Sequence, residues 1–265
     1  MPSVRSDDAE IFYEIRGSGP PVVLLHPFPC HHGFWHPIAA ALDSRYRLIL
    51  PDLRGHGHSE VGQGPAFMAK HANDIIRVLD AEGVGRAAFV GCSIGGYILF
   101  EIWRRFRARV NSLVLCDTRP QADTAQARGN RLKTAASVLE QGTEPFLETM
   151  IPKLMGRTTL TARPDLVDGA RAMMRKMSAE DVSLVLRGMA ERADSIADLK
   201  TINVATLIAI GEEDVLSTVA DGELMRQNIA GSQLKIIPKA GHYAPWEQPE
   251  AVGKVLRQFL ESVVK

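Results

Sequence analysis

The chain reads as an α/β protein in which a mostly parallel sheet is covered by helices on both faces and a helical segment is inserted between two of its strands. Three observations predict this. Short apolar runs without polar alternation recur at 46–50, 87–90, 113–116, 205–210 and 234–237, and such runs suit strands buried on both faces. Between them, apolar residues spaced by three and four mark helices over 69–81, 94–107, 220–228 and 250–264, and strands alternating with helices build a parallel sheet. From about residue 120 to 197 the strand signals stop, leaving helical pattern with turn signals at Gly142, Pro152, Gly156 and Pro164. The expected organisation is therefore a core of 1–119 and 198–265 with a helical cap of 120–197. Six of the nine methionines, Met150, Met155, Met173, Met174, Met177 and Met189, fall in that cap. Their flexible thioethers suit either the packing of its helices or a pocket wall that accepts varied apolar groups. At the start of the chain, β-rich runs at 11–15 and 22–26 joined by Gly17-Ser18-Gly19-Pro20-Pro21 predict a hairpin entering the sheet.

With 265 residues, 45% of them apolar, the chain can bury one large core without a second independent domain. Lys plus Arg balance Asp plus Glu at 31 each, so neither nucleic acid nor an anionic membrane is an expected partner, and small neutral or mildly polar ligands are. The first residues carry no apolar signal segment and no run approaches bilayer length, which predicts a cytoplasmic protein. Cys30, Cys92 and Cys116 are odd in number and far apart, a pattern that predicts free thiols rather than disulfides or a zinc site. Nothing in the sequence reads out an oligomeric state.

Chemistry enters with Gly91-Cys92-Ser93-Ile94-Gly95, a G-x-S-x-G pentad directly after the apolar run 87–90 and directly before a helical segment. Strand, sharp turn and helix together make a nucleophile elbow, with Ser93 as the candidate nucleophile. A serine hydroxyl is weak at neutral pH and needs a base, and the base needs a third group to fix its tautomer. The strand 205–210 runs into Gly211-Glu212-Glu213-Asp214, which puts Asp214 at the carboxyl edge of the sheet, and the last strand runs into Gly241-His242. Ser93, Asp214 and His242 then stand in the chain order Ser, Asp, His. Asp117, just after the strand ending at Cys116, is the rival acid, while Glu212, Glu213 and Asp221 read as solvated charges. Two amides are expected to hold the developing oxyanion. One is Ile94, at the start of the helix; the other is Phe28 in His26-Pro27-Phe28-Pro29, where neither proline has an N–H to donate. A histidine base must start neutral, so activity is expected to fall on the acid side. His56 and His58, with Asp52 and Arg54, read as a tight structural loop rather than a metal site, and Glu247 and Glu250 as caps of the last helix.

With these segments in place the chain resembles the α/β-hydrolase superfamily, in particular its capped, cofactor-free carboxylesterases, enol-lactonases and perhydrolase or haloperoxidase members. The matching segments are 24–29, 51–59, 91–96, 211–214 and Gly241-His242 followed by 247–250. The resemblance implies an eight-stranded sheet, no metal or organic cofactor, and a small ester or lactone as substrate. It leaves open peroxide as the acyl acceptor, and a receptor-like member in which binding outweighs turnover. One departure is visible: the family's His-Gly in the oxyanion loop is His26-Pro27 here, a swap that stiffens the loop.

Overall fold

The computed structural model describes residues 2–263. The chain forms β1 (Ser3–Ser6), β2 (Ala9–Arg16), β3 (Pro21–Leu25), α1 (His36–Ala39), β4 (Arg47–Pro51), α2 (Met68–Ala81), β5 (Ala87–Cys92), α3 (Ile94–Phe106) and β6 (Val110–Cys116). Six helices follow without a strand: α4 (Ala125–Gln141), α5 (Glu144–Leu154), α6 (Arg157–Ala162), α7 (Pro164–Met174), α8 (Ala179–Ala190) and α9 (Ile196–Leu199). The core resumes with β7 (Ala205–Gly211), α10 (Val219–Asn228), β8 (Gln233–Ile237), α11 (Ala244–Glu247) and α12 (Pro249–Val263). Residue 264, expected at the end of the last helix, lies outside the described residues.

The eight strands form one sheet in the order β1-β2-β4-β3-β5-β6-β7-β8. Pairing is antiparallel at β1–β2 and β2–β4 and parallel elsewhere. The alternation of buried strands and amphipathic helices dictates this, because parallel neighbours need a crossover helix between them. The expected hairpin is corrected: β2 does not pair with the strand that follows it, because β4 lies between them. The hairpin is β1–β2 instead. A Cβ on Gly17, whose φ is +65°, would lie 2.1 Å from the Asp43 carbonyl oxygen, so the Gly17–Pro21 link is pressed against the approach to β4 rather than closing a tight turn. β8 is a second correction. It is the sheet's edge, with Ile236 exposed and Leu234 only half-buried, because among the described residues no strand pairs on its far side. Of the turn signals in the insertion, Gly142, Gly156 and Pro164 mark helix ends, whereas Pro152 sits inside the last turn of α5.

Under the sheet's end the loop after β4 is closed by buried ions. Arg54 donates to both oxygens of Asp74, at 2.9 and 2.7 Å, and Asp52 accepts from the amides of His32 and His58 at 2.7 and 2.9 Å. His58 thus contributes its backbone, as a structural loop requires. Cys30, Cys92 and Cys116 are buried free thiols, and burial pushes Cys30 up to about 12.

Three fully buried histidines give the fold a pH dependence. Burial holds His56 down to about 4 and His26 and His71 well below the ordinary 6.5. The unfolded chain therefore binds more protons below that value, so their contribution is whole above it and is lost as pH falls, at up to about 1.4 kcal/mol per pH unit per histidine. Below about pH 6.5 the urea midpoint is expected to drop as pH falls to 5, the three histidines outweighing the opposite linkage of the raised carboxyls of Asp117 and Glu247; a midpoint constant over that range would contradict this account.

Candidate active site

Ser93 occupies the single residue between β5 and α3 and has φ 54° and ψ −113°, a region that costs a non-glycine residue about 1–3 kcal/mol. Its surroundings hold it there. The Ser93 amide donates to the Cys116 carbonyl at 3.0 Å, and its own carbonyl accepts from the Thr118 hydroxyl at 2.8 Å. The elbow also needs close backbone approach, since a Cβ on Gly95 would sit 2.5 Å from the Leu25 carbonyl oxygen.

His242 Nε2 lies 2.8 Å from Ser93 Oγ, and its Nδ1 lies 2.8 Å from Asp214 Oδ2. Asp214 Oδ1 is fixed by the amides of Leu216 and Ser217 at 2.7 and 3.0 Å. A carboxylate facing Nδ1 selects the tautomer with hydrogen there, which leaves the Nε2 lone pair to accept the serine proton. All three residues are buried, at 9%, 6% and 3% exposure for Ser93, Asp214 and His242. The fold therefore brings Ser93, Asp214 and His242 together from three separate strand ends.

Asp117, the rival acid, is engaged elsewhere: it accepts from the amides of Gly211 and Ala244 at 2.7 and 3.2 Å. Burial pushes its carboxyl well above the usual range, and the nearby charge of Asp214 adds to the shift. Two acidic residues that the sequence reading assigns elsewhere are built into the site's support. Glu213 accepts from the Thr158 amide and hydroxyl at 2.8 and 2.6 Å. Glu247, expected to cap the last helix, is buried and accepts from Gly156 and Gly241 at 2.8 and 2.9 Å and from Tyr243 at 3.3 Å. Burial raises its carboxyl against the pull of those amides. Asp221 belongs to the capping box of α10.

Ile94 opens α3, whose first amides have no intrahelical acceptor. Phe28 lies in the loop after β3, held from both sides. His26 Nε2 accepts from the Leu53 amide at 2.9 Å, so its Nδ1 carries the hydrogen and donates to the Pro27 carbonyl at 2.9 Å. The Tyr243 hydroxyl donates to the Phe28 carbonyl at 3.0 Å and accepts from Cys30 Sγ at 3.4 Å. No acceptor among the described residues takes the Phe28 or Ile94 amide hydrogen.

Phe28, Ser93 and His242 share the wall of a cavity of about 470 Å³ with residues of α4, α5 and α8. Met150 and Met189 line it, while Met155, Met173, Met174 and Met177 pack in the interior. Two groups outside the cavity bring possible metal-ligand atoms within 4.8 Å of one another: Glu14, His32 and His36, and His31, His32 and Asp52. Hydrogen bonds join them, His36 to Glu14 and His32 to Asp52, each at 2.7 Å, and pin the segment after Phe28 to β2 and β4.

Sequence reasoning missed Tyr243, Glu247 and Thr118. Adjacency to His242 was the one available signal for Tyr243; Thr118 acts through a backbone contact that no motif encodes, and Glu247 stands in the matching segment 247–250 but reads there as a helix cap.

A parallel sheet with an elbow serine at its centre, and a histidine and an aspartate on later strand ends, defines an α/β-hydrolase. The α/β-hydrolase fold family model matches residues 20–249, and the chain belongs to that family. It is similar to 3-oxoadipate enol-lactonase 2 of Acinetobacter baylyi, 27% identical over 263 residues and 97% of each chain. Among solved structures it resembles a malate-bound thermophilic esterase from Thermogutta terrifontis, with a TM-score of 0.97, 35% identity and complete coverage of both chains. It also resembles the enol-lactonase of Burkholderia xenovorans, with a TM-score of 0.91, 25% identity, and 98% and 100% coverage of the two chains. Among the described residues no helix is long and apolar enough to cross a membrane.

Proposed function

We propose that this chain is a serine hydrolase that cleaves small carboxylic esters or lactones through an acyl-enzyme on Ser93. The observation that carries the reading is the unbroken line Ser93 Oγ, His242 Nε2, His242 Nδ1, Asp214 Oδ2, with both links at 2.8 Å. Similarity to an esterase and to enol-lactonases supports the choice of carbonyl substrate.

Each group then has a task. His242 takes the Ser93 proton as Oγ attacks the carbonyl carbon, and Asp214 stabilises the resulting imidazolium. The Ile94 and Phe28 amides receive the oxyanion, each worth about 3–4 kcal/mol of barrier. His242 returns the proton to the leaving oxygen, and water, activated by the same histidine, clears the acyl group. For a lactone the leaving oxygen stays tethered until that hydrolysis. The insertion 120–197 acts as the cap that walls the acyl cavity, and small-molecule substrates enter beneath it.

The experiment is to turn over p-nitrophenyl esters from acetate to decanoate, with γ- and δ-lactones alongside, and to treat the protein with an ethyl p-nitrophenyl alkylphosphonate. Ester or lactone hydrolysis and one phosphonyl mass increment mapping to Ser93 are expected. Labelling elsewhere, or turnover that survives stoichiometric phosphonylation, would remove Ser93 from the role.

A further inference from the structure

The balanced composition predicts neutral or mildly polar ligands, yet the cavity beside Ser93 is strongly cationic. Arg119, Arg131 and Lys153 line it, and no acidic residue does among the described residues. A single buried carboxylate stands behind this wall. Asp123 accepts from Arg131 Nε at 2.7 Å and from Arg192 Nη1 at 2.6 Å, and Arg119 Nη2 lies 3.6 Å away. Burial alone would push the Asp123 carboxyl up, but the arginines hold it below its ordinary value. Three guanidiniums thus share one negative charge, and Lys153 adds a further positive charge to the same cavity.

The hydrogen-bonding capacity is also unspent. Arg119 Nε is buried without any partner, and its approach to Asp123 at 3.6 Å is an ion pair beyond hydrogen-bond range. Arg131 uses Nε and Nη2 on Asp123, while its Nη1 finds only the Met189 sulfur at 3.8 Å. A guanidinium fork matches a carboxylate in shape and charge. The position is close to the chemistry as well. Arg119 follows Thr118, whose hydroxyl bonds the Ser93 carbonyl. Arg192 stacks 4.3 Å from the ring centroid of Tyr97, one helical turn after Ser93 and itself in the cavity wall.

We infer that Arg119 and Arg131 form a carboxylate-binding subsite, so that the substrate is an ester or lactone carrying a second, ionised carboxyl group a few bonds from the scissile carbonyl. Asp123 is the positioning residue that holds the arginines in place, and Lys153 strengthens the local field. The inference rests on the proposed Ser93 chemistry for its reaction, but the subsite can be read without turnover.

Two probes of equal acyl length separate charge from size: p-nitrophenyl hydrogen glutarate and p-nitrophenyl valerate. The wild type is expected to favour the anionic ester in kcat/KM by at least about tenfold, and added salt to shrink that preference. Arg119→Gln should reduce the ratio at least about fivefold, chiefly through KM of the anionic ester, and Arg119→Lys should fall between, retaining charge without the fork. Arg163→Gln, on an exposed residue paired with Asp165, should leave the ratio in place and so control for net charge. A wild-type ratio near one, or a ratio that Arg119→Gln does not move, overturns the subsite while leaving the hydrolase reading intact. Calorimetry of monomethyl glutarate and methyl valerate on the Ser93→Ala protein gives the independent arm. Tighter binding of the half-ester that Arg119→Gln abolishes supports the subsite even if the proposed hydrolysis fails, and equal binding overturns it.

Discussion

Ser93→Ala is expected to lower kcat/KM for short p-nitrophenyl esters by at least about a thousandfold, because the hydroxyl that attacks and the hydrogen bond that activates it disappear together. The fold should survive. The Ser93 side chain makes its hydrogen bond to His242, and the contacts that hold the elbow run through its backbone to Cys116 and Thr118. Ser93→Gly separates function from strain. At φ 54° and ψ −113° a glycine escapes most of the penalty that a Cβ imposes. Relief of about 1–3 kcal/mol then outweighs the roughly 0.5–1 kcal/mol of added chain entropy in the unfolded state. The glycine variant should be inactive and melt a few degrees above wild type. Differential scanning calorimetry alongside the ester assay decides it: a glycine variant that melts lower would show that the elbow is relaxed, and an alanine variant within tenfold of wild type would exclude Ser93 as nucleophile.

Glu247→Ala should be the most damaging single change away from the reacting atoms. Its carboxylate is the shared acceptor for Gly156 at the start of α6 and for Gly241 and Tyr243 on either side of His242. The backbones it joins touch, since a Cβ on Gly241 would lie 2.3 Å from the Gly156 nitrogen. Truncation leaves buried amides without an acceptor, at about 1–3 kcal/mol for each such donor. After partial relaxation a loss of about 3–5 kcal/mol is expected, or roughly 10 °C in Tm for a chain of this size. Turnover should fall as well, because the His242 loop loses its tether to the helical insertion. Glu247→Gln should be intermediate, keeping one acceptor oxygen and turning an NH₂ toward an amide hydrogen. A Tm within about 2 °C of wild type for Glu247→Ala would show that the junction is held by packing alone.

How much of this was legible beforehand follows the range of the interactions. Gly91 to Gly96 could be read as an elbow because the strained turn, the close approach to β3 and the helix start all lie within a few residues. Asp214 and His242 could be placed because each follows its strand closely, and β5 to β8 lie side by side in the sheet in the same order as in the chain. The hairpin expected from Gly17 to Pro21 failed because adjacency in sequence does not decide strand neighbours when a later strand, β4, can pair between them. β8 looked like the other buried runs because its composition is apolar, and its edge position depends on what lies beyond it. Glu213 looked like a solvated charge and Glu247 like a helix cap because nothing local distinguishes such glutamates from ones that meet backbone amides 55 or 91 residues away.

The sequence by itself determined the class of fold, the serine at the elbow, the candidate histidine and the region of helices that interrupts the sheet, since periodicity and turn chemistry are local properties of the chain. Tertiary structure alone decided which acid faces His242, which carboxylate ties the insertion to its loop, and that a chain with no net charge sets Arg119, Arg131 and Lys153 around one cavity lined by no acidic residue among the described residues. Charge balance over the whole chain says nothing about a few side chains brought together by folding, and in a buried wall it is those few that set the local field.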